Sequence, residues 1–217
     1  MNVTTTIGPD EEAAGRSARK RQGILAAAME LFLRSGYLGT NMDEVAKLAG
    51  VSKQTVYKQF SSKEALFIEI VTNMTNAGSD AVHNAVPRFV DGGDVAEYLR
   101  DYAFRQLVVV LTPKLMQLRR TVIGEVGRFP DLGRKLYEAG PKRAVAAFAA
   151  ALSDLAQRGL LSIEDPATAA SDFNWLVMSA TLNQVMLLGD DAIPSRAQLR
   201  RHAAHGVRVF LSAYGKR

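Results

Sequence analysis

The segment from residue 40 to residue 63 constrains the fold most strongly, because it places two short helical patterns on either side of one glycine. Thr40 or Asn41 can cap the first helix, Gly50 supplies a tight turn, and Ser52 can cap a second helix that reaches Gln59. A helix-turn-helix requires a small residue at its turn, an apolar residue after it and polar residues on the outer face of its second helix. The pattern predicts this motif.

The second helix of the motif has two distinct faces. Val56 and Phe60 lie four residues apart and are expected to face inward. Glutamine and threonine side chains can hydrogen-bond to base edges, and lysine can contact bases or phosphates. We therefore expect an outer face directed toward the major groove of DNA, formed by Lys53, Gln54, Thr55 and Lys58.

Positive charge is concentrated in the same part of the chain. Residues 13–63 carry nine lysines and arginines against three acids, whereas residues 64–217 carry 18 against 16. A basic field confined to one segment is typical of a phosphate-binding surface, since bound cations displace the counterions of DNA. Charge alone also fits a solvated helix face, and that alternative stays open.

The composition excludes several other classes of protein. With 217 residues, 47% of them hydrophobic, the chain can bury a sizeable core. It has no cysteine, which excludes disulfides, thiol nucleophiles and cysteine-ligated metals. The longest apolar run, 144–152, is too short for a membrane helix, and the polar, acidic N-terminus does not resemble a signal peptide. We expect a cytoplasmic protein that does not bind a membrane.

No pattern in the chain indicates an enzyme or a resident cofactor. The sequence has no nucleophile elbow, phosphate-binding loop or dinucleotide fingerprint. His202 and His205 would share one helix face, but His83 is the only other histidine and no paired acids accompany them. We expect no catalytic residues, no cofactor and no metal site.

Helical periodicity and punctuation extend over the whole chain and predict an all-α fold. Residues 1–15 are expected to form a disordered tail, followed by a first helix that ends near Ser35. Ser61 and Glu64 match a capping box for a fourth helix. Further helices are predicted over 95–111, from Thr112-Pro113 to Phe129-Pro130, from Pro141 to Gly159, from Asp165-Pro166 to about Leu188, and from Ser195 to Tyr214.

Residues 20–71 resemble the tetracycline-repressor (TetR) family of bacterial transcriptional regulators. The matching residues are Ile24-Leu25-Ala27-Ala28, Leu31-Phe32, Gly36-Tyr37, Thr40, Val45-Ala46, Ala49-Gly50-Val51-Ser52, Thr55-Val56-Tyr57, Phe60 and Ser62-Lys63-Glu64-Ala65-Leu66-Phe67. Members of this family bind double-stranded operator DNA as homodimers and release it when a small ligand enters the C-terminal domain. The resemblance implies an N-terminal three-helix DNA-binding domain over 16–62 and a larger helical effector-binding and dimerisation domain over 63–217.

The resemblance also assigns roles to individual residues. It implies that the outer-face residues Lys53, Gln54, Thr55 and Lys58 meet bases or nearby backbone, and it includes Ser52 in the same surface. Tyr57 and Lys63 would hold phosphates, and Thr40 would touch phosphate at the start of the second helix. Packing for Tyr57 and plain solvation for Lys63 are the alternatives, and Arg19 and Lys20 could contact the minor groove or only solvent. Many members have glycine where this chain has Gln54, so no relative's base preference transfers.

The last two predicted helices carry apolar stripes that could close an intramolecular core or a dimer, and the family pairs through these helices. Residues 124–132 resemble the AefR-like subgroup of C-terminal domains. The middle helices contain candidate residues for an effector site, and their mainly apolar character favours a hydrophobic or amphipathic ligand. For each candidate the alternative is a place in an ordinary core. The candidates are Phe104, Arg119, Val122, Glu125, Phe129, Phe148, Trp175 and Met178, with Met116 and Leu118 beside them.

Two rival functions are compatible with these residues. A DNA-binding regulator without an effector would have a fully packed C-terminal core. A small-molecule-binding or catalytic helical protein would bind or turn over its ligand with no effect on DNA. For the main hypothesis, a ligand-responsive DNA-binding regulator, the expected activity is repression of transcription.

Overall fold

The computed structural model describes residues 9–83 and 89–216, with side chains from residue 15 onward. Within this described part every long element is a helix, and the only β-type pairing is an isolated bridge between Leu161 and Gly215. The predicted all-α fold is confirmed. The helices are α1 (Pro9–Gly39), α2 (Met42–Leu48), α3 (Lys53–Gln59), α4 (Lys63–His83), α5 (Val95–Val110), α6 (Pro113–Glu125), α7 (Pro130–Tyr137), α8 (Arg143–Gln157), α9 (Pro166–Leu188) and α10 (Arg196–Tyr214).

The chain forms two compact units that divide within helix α4. Unit 1 ends at Val71 and unit 2 begins at Thr72, nine residues beyond the predicted division between 62 and 63. The first turns of α4 belong to unit 1 because the Phe67 ring packs 4.5 Å from that of Phe32 and 5.3 Å from that of Tyr37. These rings form the centre of the small core of unit 1.

The start of α1 corrects one prediction. Residues 9–15, expected to belong to a disordered tail, are helical, while residues 1–8 lie outside the described part. The sequence gives a reason, since a proline followed by three acids is favourable in the first turn of a helix. At the other end Gly36, with φ of 70° and ψ of 179°, interrupts the helical path next to the predicted end at Ser35.

Side-chain caps fix the ends of the short helices of unit 1. Asn41, one of the two predicted caps of α2, accepts hydrogen bonds from the backbone of Asp43 and Glu44. The predicted cap of α4 is wrong by one residue, because Ser62 rather than Ser61 accepts from the backbone N–H of Ala65. A cap must lie just before the first helical residue, and α4 begins at Lys63.

Unit 2 is a bundle of helices around one apolar core. Its centre contains the stacked rings of Tyr102 and Phe148, 4.1 Å apart, with Phe173 and Phe210 beside them. The expected new helix at Pro141 does not start there, because α7 continues through a π-helical turn, Glu138–Lys142, into α8. The wider turn accommodates a proline that has no N–H to donate.

Helices α9 and α10 begin at the predicted caps, Asp165 and Ser195, and pack against each other. Their close approach occurs at buried Gly206, where an added Cβ would lie 3.5 Å from a methyl group of Val177 and 3.6 Å from the Leu176 carbonyl oxygen. In the described ranges no helix has the length and apolar character needed to cross a membrane.

Candidate nucleic-acid interface and ligand cavity

Helix α3 presents its polar residues on one side and its apolar residues on the other, as the periodicity predicts. Val56 and Phe60 are buried. Tyr57 has 45% of its surface exposed, although it is a large aromatic residue. The exposed side of the helix also carries Ser52, Lys53, Gln54 and Lys58. A seven-residue helix with this exposed side can meet the edges of bases in a major groove.

The N-terminus of α3 is fixed by a pair of hydroxyl groups. Ser52 Oγ accepts a hydrogen bond from the Thr55 backbone N–H at 3.2 Å, and the two hydroxyl oxygens lie 2.8 Å apart. Thr55 is half-buried, in contrast to its exposed neighbours. The Thr55 side chain therefore takes part in the cap, and a contact with a base would have to share its hydroxyl with Ser52.

Lys53 is tied to helix α2 through an exposed ion pair. Its ammonium nitrogen lies 2.8 Å from one carboxylate oxygen of Asp43 and 3.1 Å from the other. The hydrogen bond to Asp43 raises the pKa of Lys53 above its ordinary value. The pair links α2 and α3 at the surface where phosphates are expected.

Thr40 and Lys63 have different surroundings from the other candidates. Thr40 is only 1% exposed and its hydroxyl donates to the Gly36 carbonyl at 2.8 Å. A phosphate contact by this hydroxyl requires it to leave Gly36. Lys63 donates to the Leu38 carbonyl at 3.4 Å and lies 4.6 Å from the centre of the Tyr37 ring. Both residues thus contact the last residues of α1.

Arg21 has a structural role that the sequence pattern does not distinguish from those of its basic neighbours. Its guanidinium donates to the Gln59 carbonyl at 3.1 Å, pairs with Glu69 and lies 4.3 Å from the centre of the Phe60 ring. Arg16, Arg19 and Lys20 are exposed. Of the basic run, Arg21 therefore fastens α1 to the end of α3 and to α4, which leaves the other three available to a partner.

Unit 2 contains a cavity lined by six helices and by the π-helical turn. The atom-free space is about 820 Å³ when its open mouth to solvent is included, and about 90 Å³ is accessible to the centre of a water-sized sphere. Its lining is mainly apolar. The lining residues are Thr75, Gly78, Ser79 and Val82 of α4, Gln106 and Val110 of α5, Leu115, Met116, Leu118 and Arg119 of α6, Leu136, Gly140, Pro141 and Ala144, and Asn174, Trp175, Met178 and Leu182 of α9.

The candidates from the sequence divide between this cavity and other places. Arg119, Trp175 and Met178 line it, together with Met116 and Leu118. Phe148 and Val122 are buried outside it, and Glu125 and Phe129 are half-buried outside it. Phe104 is also elsewhere, with the guanidinium groups of Arg196 and Arg200 5.2 and 4.2 Å from its ring centre.

Polar groups of the cavity that sequence reasoning missed lie on α4, α5 and α9. Gln106 Nε2 donates to Asn174 Oδ1 at 2.7 Å, and both residues are buried. The remaining oxygen of Gln106 and the Ser79 hydroxyl are buried without a partner among the described residues. A polar residue within an apolar helix stripe, such as Asn174 beside Phe173 and Val177, is the signal that could have identified this pair.

The outer side of α9 and α10 is apolar and exposed. A groove between these helices is lined by Trp175, Leu176, Val209 and Ala213, among others, and Trp175 is 48% exposed. Leu187 is 75% exposed further along α9. The two histidines of α10 make separate contacts. His202 Nε2 lies 2.8 Å from the Val177 carbonyl oxygen, and His205 Nδ1 lies 2.8 Å from an Arg208 nitrogen.

Comparison with protein families gives two matches along the chain. The family described as bacterial regulatory proteins, tetR family, matches residues 24–70. The family described as the C-terminal domain of AefR-like transcriptional repressors matches residues 97–216, more than half of the chain. The first match covers the helix-turn-helix, and the second covers most of unit 2.

Solved structures and curated relatives agree with these matches. A protein from Mesorhizobium loti MAFF303099, described as a TetR-family transcriptional regulator, is 38% identical with a TM-score of 0.87, covering 93% of this chain and 99% of that one. The flavonoid-responsive regulator FrrA is 33% identical with a TM-score of 0.75, covering 92% and 99%. The HTH-type transcriptional regulator RutR of Escherichia coli K12 is 33% identical over 81 residues, which span 37% of this chain and only 38% of RutR.

Proposed function

Since the chain belongs to the TetR family of bacterial transcriptional regulators, we propose that it is a ligand-responsive repressor that binds a palindromic operator as a homodimer. The observation that carries the proposal is the exposed polar side of α3, set on a buried apolar side and capped at its N-terminus. We assign no catalytic role to any residue. Because the partner is chromosomal DNA, the protein acts in the cytoplasm.

The proposed DNA contacts follow from exposure and chemistry. Gln54 and Lys58 reach base edges in the major groove, and Tyr57 holds a phosphate through its hydroxyl. Lys53 contacts DNA after it exchanges Asp43 for phosphate. Ser52 and Thr55 act first as the cap of α3. Lys63 and Thr40 contribute where α1 meets α2, Lys63 through its charge and Thr40 by fixing the chain.

The proposed homodimer forms through α9 and α10. Two helix-turn-helix units read half-sites about 34 Å apart only if a two-fold axis relates them. The exposed apolar groove with Trp175, Leu176 and Val209 has the composition that such interfaces need, which supports pairing through this surface.

A small apolar or amphipathic effector is proposed for the cavity of unit 2. The atom-free space and mostly apolar lining support this over a regulator with a fully packed core. FrrA, which is similar to this chain over 92% of its length, is described as flavonoid-responsive. Helix α4 lines the cavity between Thr75 and Val82 and continues without a break to Leu66 in unit 1, so a ligand that shifts this helix can change the population of DNA-binding conformations.

Selection from a random duplex library, followed by fluorescence anisotropy, tests the DNA-binding part. We expect a palindromic sequence to be enriched and bound at a ratio of one dimer or two per operator, with affinity that falls steeply as salt increases. Binding that shows no sequence preference, or no binding at all, would exclude the regulator and favour a ligand-binding protein of another function.

A further inference from the structure

We propose that the effector is a small amphipathic anion, with an apolar body and one negatively charged oxygen group that pairs with the Arg119 guanidinium. This inference rests on the proposed function, since it names the chemical class of the ligand for the same cavity. Two observations carry it: the isolated charge of Arg119 and the unsatisfied hydrogen-bonding groups that share the cavity with it.

Arg119 places a positive charge in a cavity whose described lining provides no negative charge. Among the described residues that line the cavity, it alone is charged. Within the described part of the chain its guanidinium also has no ion pair or hydrogen bond, whereas the next residue, Arg120, pairs with Asp190 and donates to the Val185 carbonyl. Arg119 is half-buried, and this burial lowers the pKa of its guanidinium, the direction expected of a partly desolvated cation.

A guanidinium remains protonated in proteins, so Arg119 cannot escape this situation by losing its proton. A half-buried charge without a counter-charge loses part of its hydration, and an anion that enters the cavity would offset that cost. Carboxylate-like oxygens also match the fork of N–H donors that a guanidinium offers. A cationic ligand would be repelled, and a pure hydrocarbon would offer the guanidinium no acceptor.

The neutral polar groups of the cavity suggest a further feature of the ligand. Gln106 is only 5% exposed, and its free oxygen can accept a hydrogen bond. The Ser79 hydroxyl, also buried, can donate or accept one. Both groups line the same cavity as Arg119, so a ligand that carries a hydroxyl in addition to its anionic group satisfies more of the site.

The rest of the lining fits an apolar body. Met116, Met178 and Leu182 supply large, flexible or branched surfaces, and the methionines can adapt to rings of different shape. The Trp175 side chain lines the cavity and is also half exposed. A flat aromatic ligand would therefore gain contacts with sulfur and indole groups as well as with aliphatic carbon.

A matched pair of fluorescent probes tests the inference on the full-length protein. 1-Anilinonaphthalene-8-sulfonate has an aromatic body with one sulfonate, and N-phenyl-1-naphthylamine is the same body without the charge. Both brighten in apolar sites, so both affinities can be titrated directly. The measured quantity is the ratio of the two affinities, which cancels contributions from the shared body.

Four variants make the comparison specific. Arg119→Gln is expected to lower the sulfonate-to-neutral affinity ratio about tenfold or more relative to the wild type, and Arg119→Lys to restore most of it. Arg128→Gln removes an equal charge from an exposed residue just after α6 and should leave the ratio unchanged. Ala144→Phe fills the cavity and should abolish binding of both probes.

The outcomes separate this inference from the proposed function. An unchanged ratio in Arg119→Gln, or equal loss of both probes in that variant, would overturn the anion. If the neutral probe releases the selected operator from the Arg119→Gln variant, the ligand-responsive repressor is supported even though the anionic ligand is excluded. Absence of binding by either probe to the wild type would overturn the anionic ligand and the effector cavity together, whereas failure to bind any operator would count only against the repressor.

Discussion

The Lys53 ammonium and the Asp43 carboxylate are joined across helices α3 and α2, with nitrogen–oxygen distances of 2.8 and 3.1 Å to the two carboxylate oxygens. More than half of each side chain is exposed. An exposed pair of this kind contributes little to stability. We expect a larger effect on DNA binding, because the pair occupies one of the basic residues of α3 and places a negative charge beside the expected phosphates.

Asp43→Asn is therefore expected to strengthen binding to any duplex, by several-fold at about 50 mM salt and less at about 200 mM. The substitution frees Lys53 and removes the repulsion between the carboxylate and the DNA phosphates. The backbone N–H at position 43 can still donate to the cap residue Asn41. Fluorescence anisotropy with the selected operator and with an unrelated duplex measures both effects. Glu30→Gln on α1, whose pair with Arg34 is also exposed, is the matched control. Weaker binding by Asp43→Asn would show that the carboxylate is needed to position Lys53.

Arg21→Ala and Arg19→Ala remove the same charge from neighbouring residues but should differ in outcome. Arg21→Ala loses the hydrogen bond to Gln59, the pair with Glu69 and the contact with Phe60, so the free energy of unfolding should fall by about 1–2 kcal/mol. Arg19→Ala should leave it unchanged and weaken only DNA binding. Urea unfolding together with anisotropy separates the two effects, and equal unfolding midpoints would contradict the fastening role of Arg21.

Gln54→Ala should change which operator is preferred, because a side chain with one donor group and one acceptor group is lost from the exposed side of α3. Tyr57→Phe should instead weaken all sequences by a similar factor, since it removes only a proposed phosphate contact. Repeating the library selection with each variant measures the preference. A Gln54→Ala variant that enriches the wild-type operator with equal discrimination would place base recognition elsewhere on α3.

The stability of unit 2 should depend on pH through His83. Burial lowers its pKa, and the charge of Arg143 lowers it further, while Asp80 acts in the opposite direction. The Tyr102 hydroxyl lies 3.4 Å from His83 Nδ1. The unfolded chain binds a proton near pH 6.5 and the folded chain only at lower pH, so stability is fully present above about pH 6.5 and is lost as the pH falls below it.

His83→Gln should flatten this dependence, because glutamine does not titrate. Urea unfolding of both proteins at several pH values between neutral and mildly acidic conditions measures the change in slope. His205→Gln is the control, since His205 is exposed on α10. A wild-type slope that survives in His83→Gln would assign the dependence to other groups.

Leu176→Glu combined with Val209→Glu should convert the proposed homodimer into monomers. Both side chains line the exposed groove between α9 and α10, and four carboxylates at a two-fold interface would repel one another. Light scattering after size-exclusion chromatography measures the mass. Val90→Glu introduces the same charge at an exposed apolar residue outside these helices and should leave the dimer intact. A double variant that stays dimeric would exclude this interface.

Local patterns in the sequence were sufficient where the physics is local. The break at Gly36, the cap at Ser52 and the inward Val56 and Phe60 follow from helix periodicity and from hydrogen bonds within a few residues. The cap of α4 shows where local patterns are insufficient. Ser61 and Ser62 offer the same chemistry, and only the packing of α4 selects Ser62.

The effector candidates show why residue type alone could not assign the cavity. Phe148 and Met178 look alike in the sequence, yet Phe148 stacks on Tyr102 in the core while Met178 lines the cavity. Gln106 and Asn174 are 68 residues apart, so their buried hydrogen bond cannot be inferred from the sequence. Such contacts depend on how α5 and α9 pack, which no local pattern specifies.

By itself, the sequence determined that the chain is helical, that unit 1 contains a helix-turn-helix and that the last two helices are apolar. Only the tertiary structure decided which apolar residues of α9 and α10 are buried. Phe173, Val177 and Phe210 are buried, whereas Leu176 and Leu187 are exposed. It also pairs Arg120 with Asp190, whereas the described residues provide no ion-pair partner for Arg119 in the cavity. The reason is physical: helix periodicity and capping act over a few residues, whereas burial and charge pairing depend on which distant helices meet.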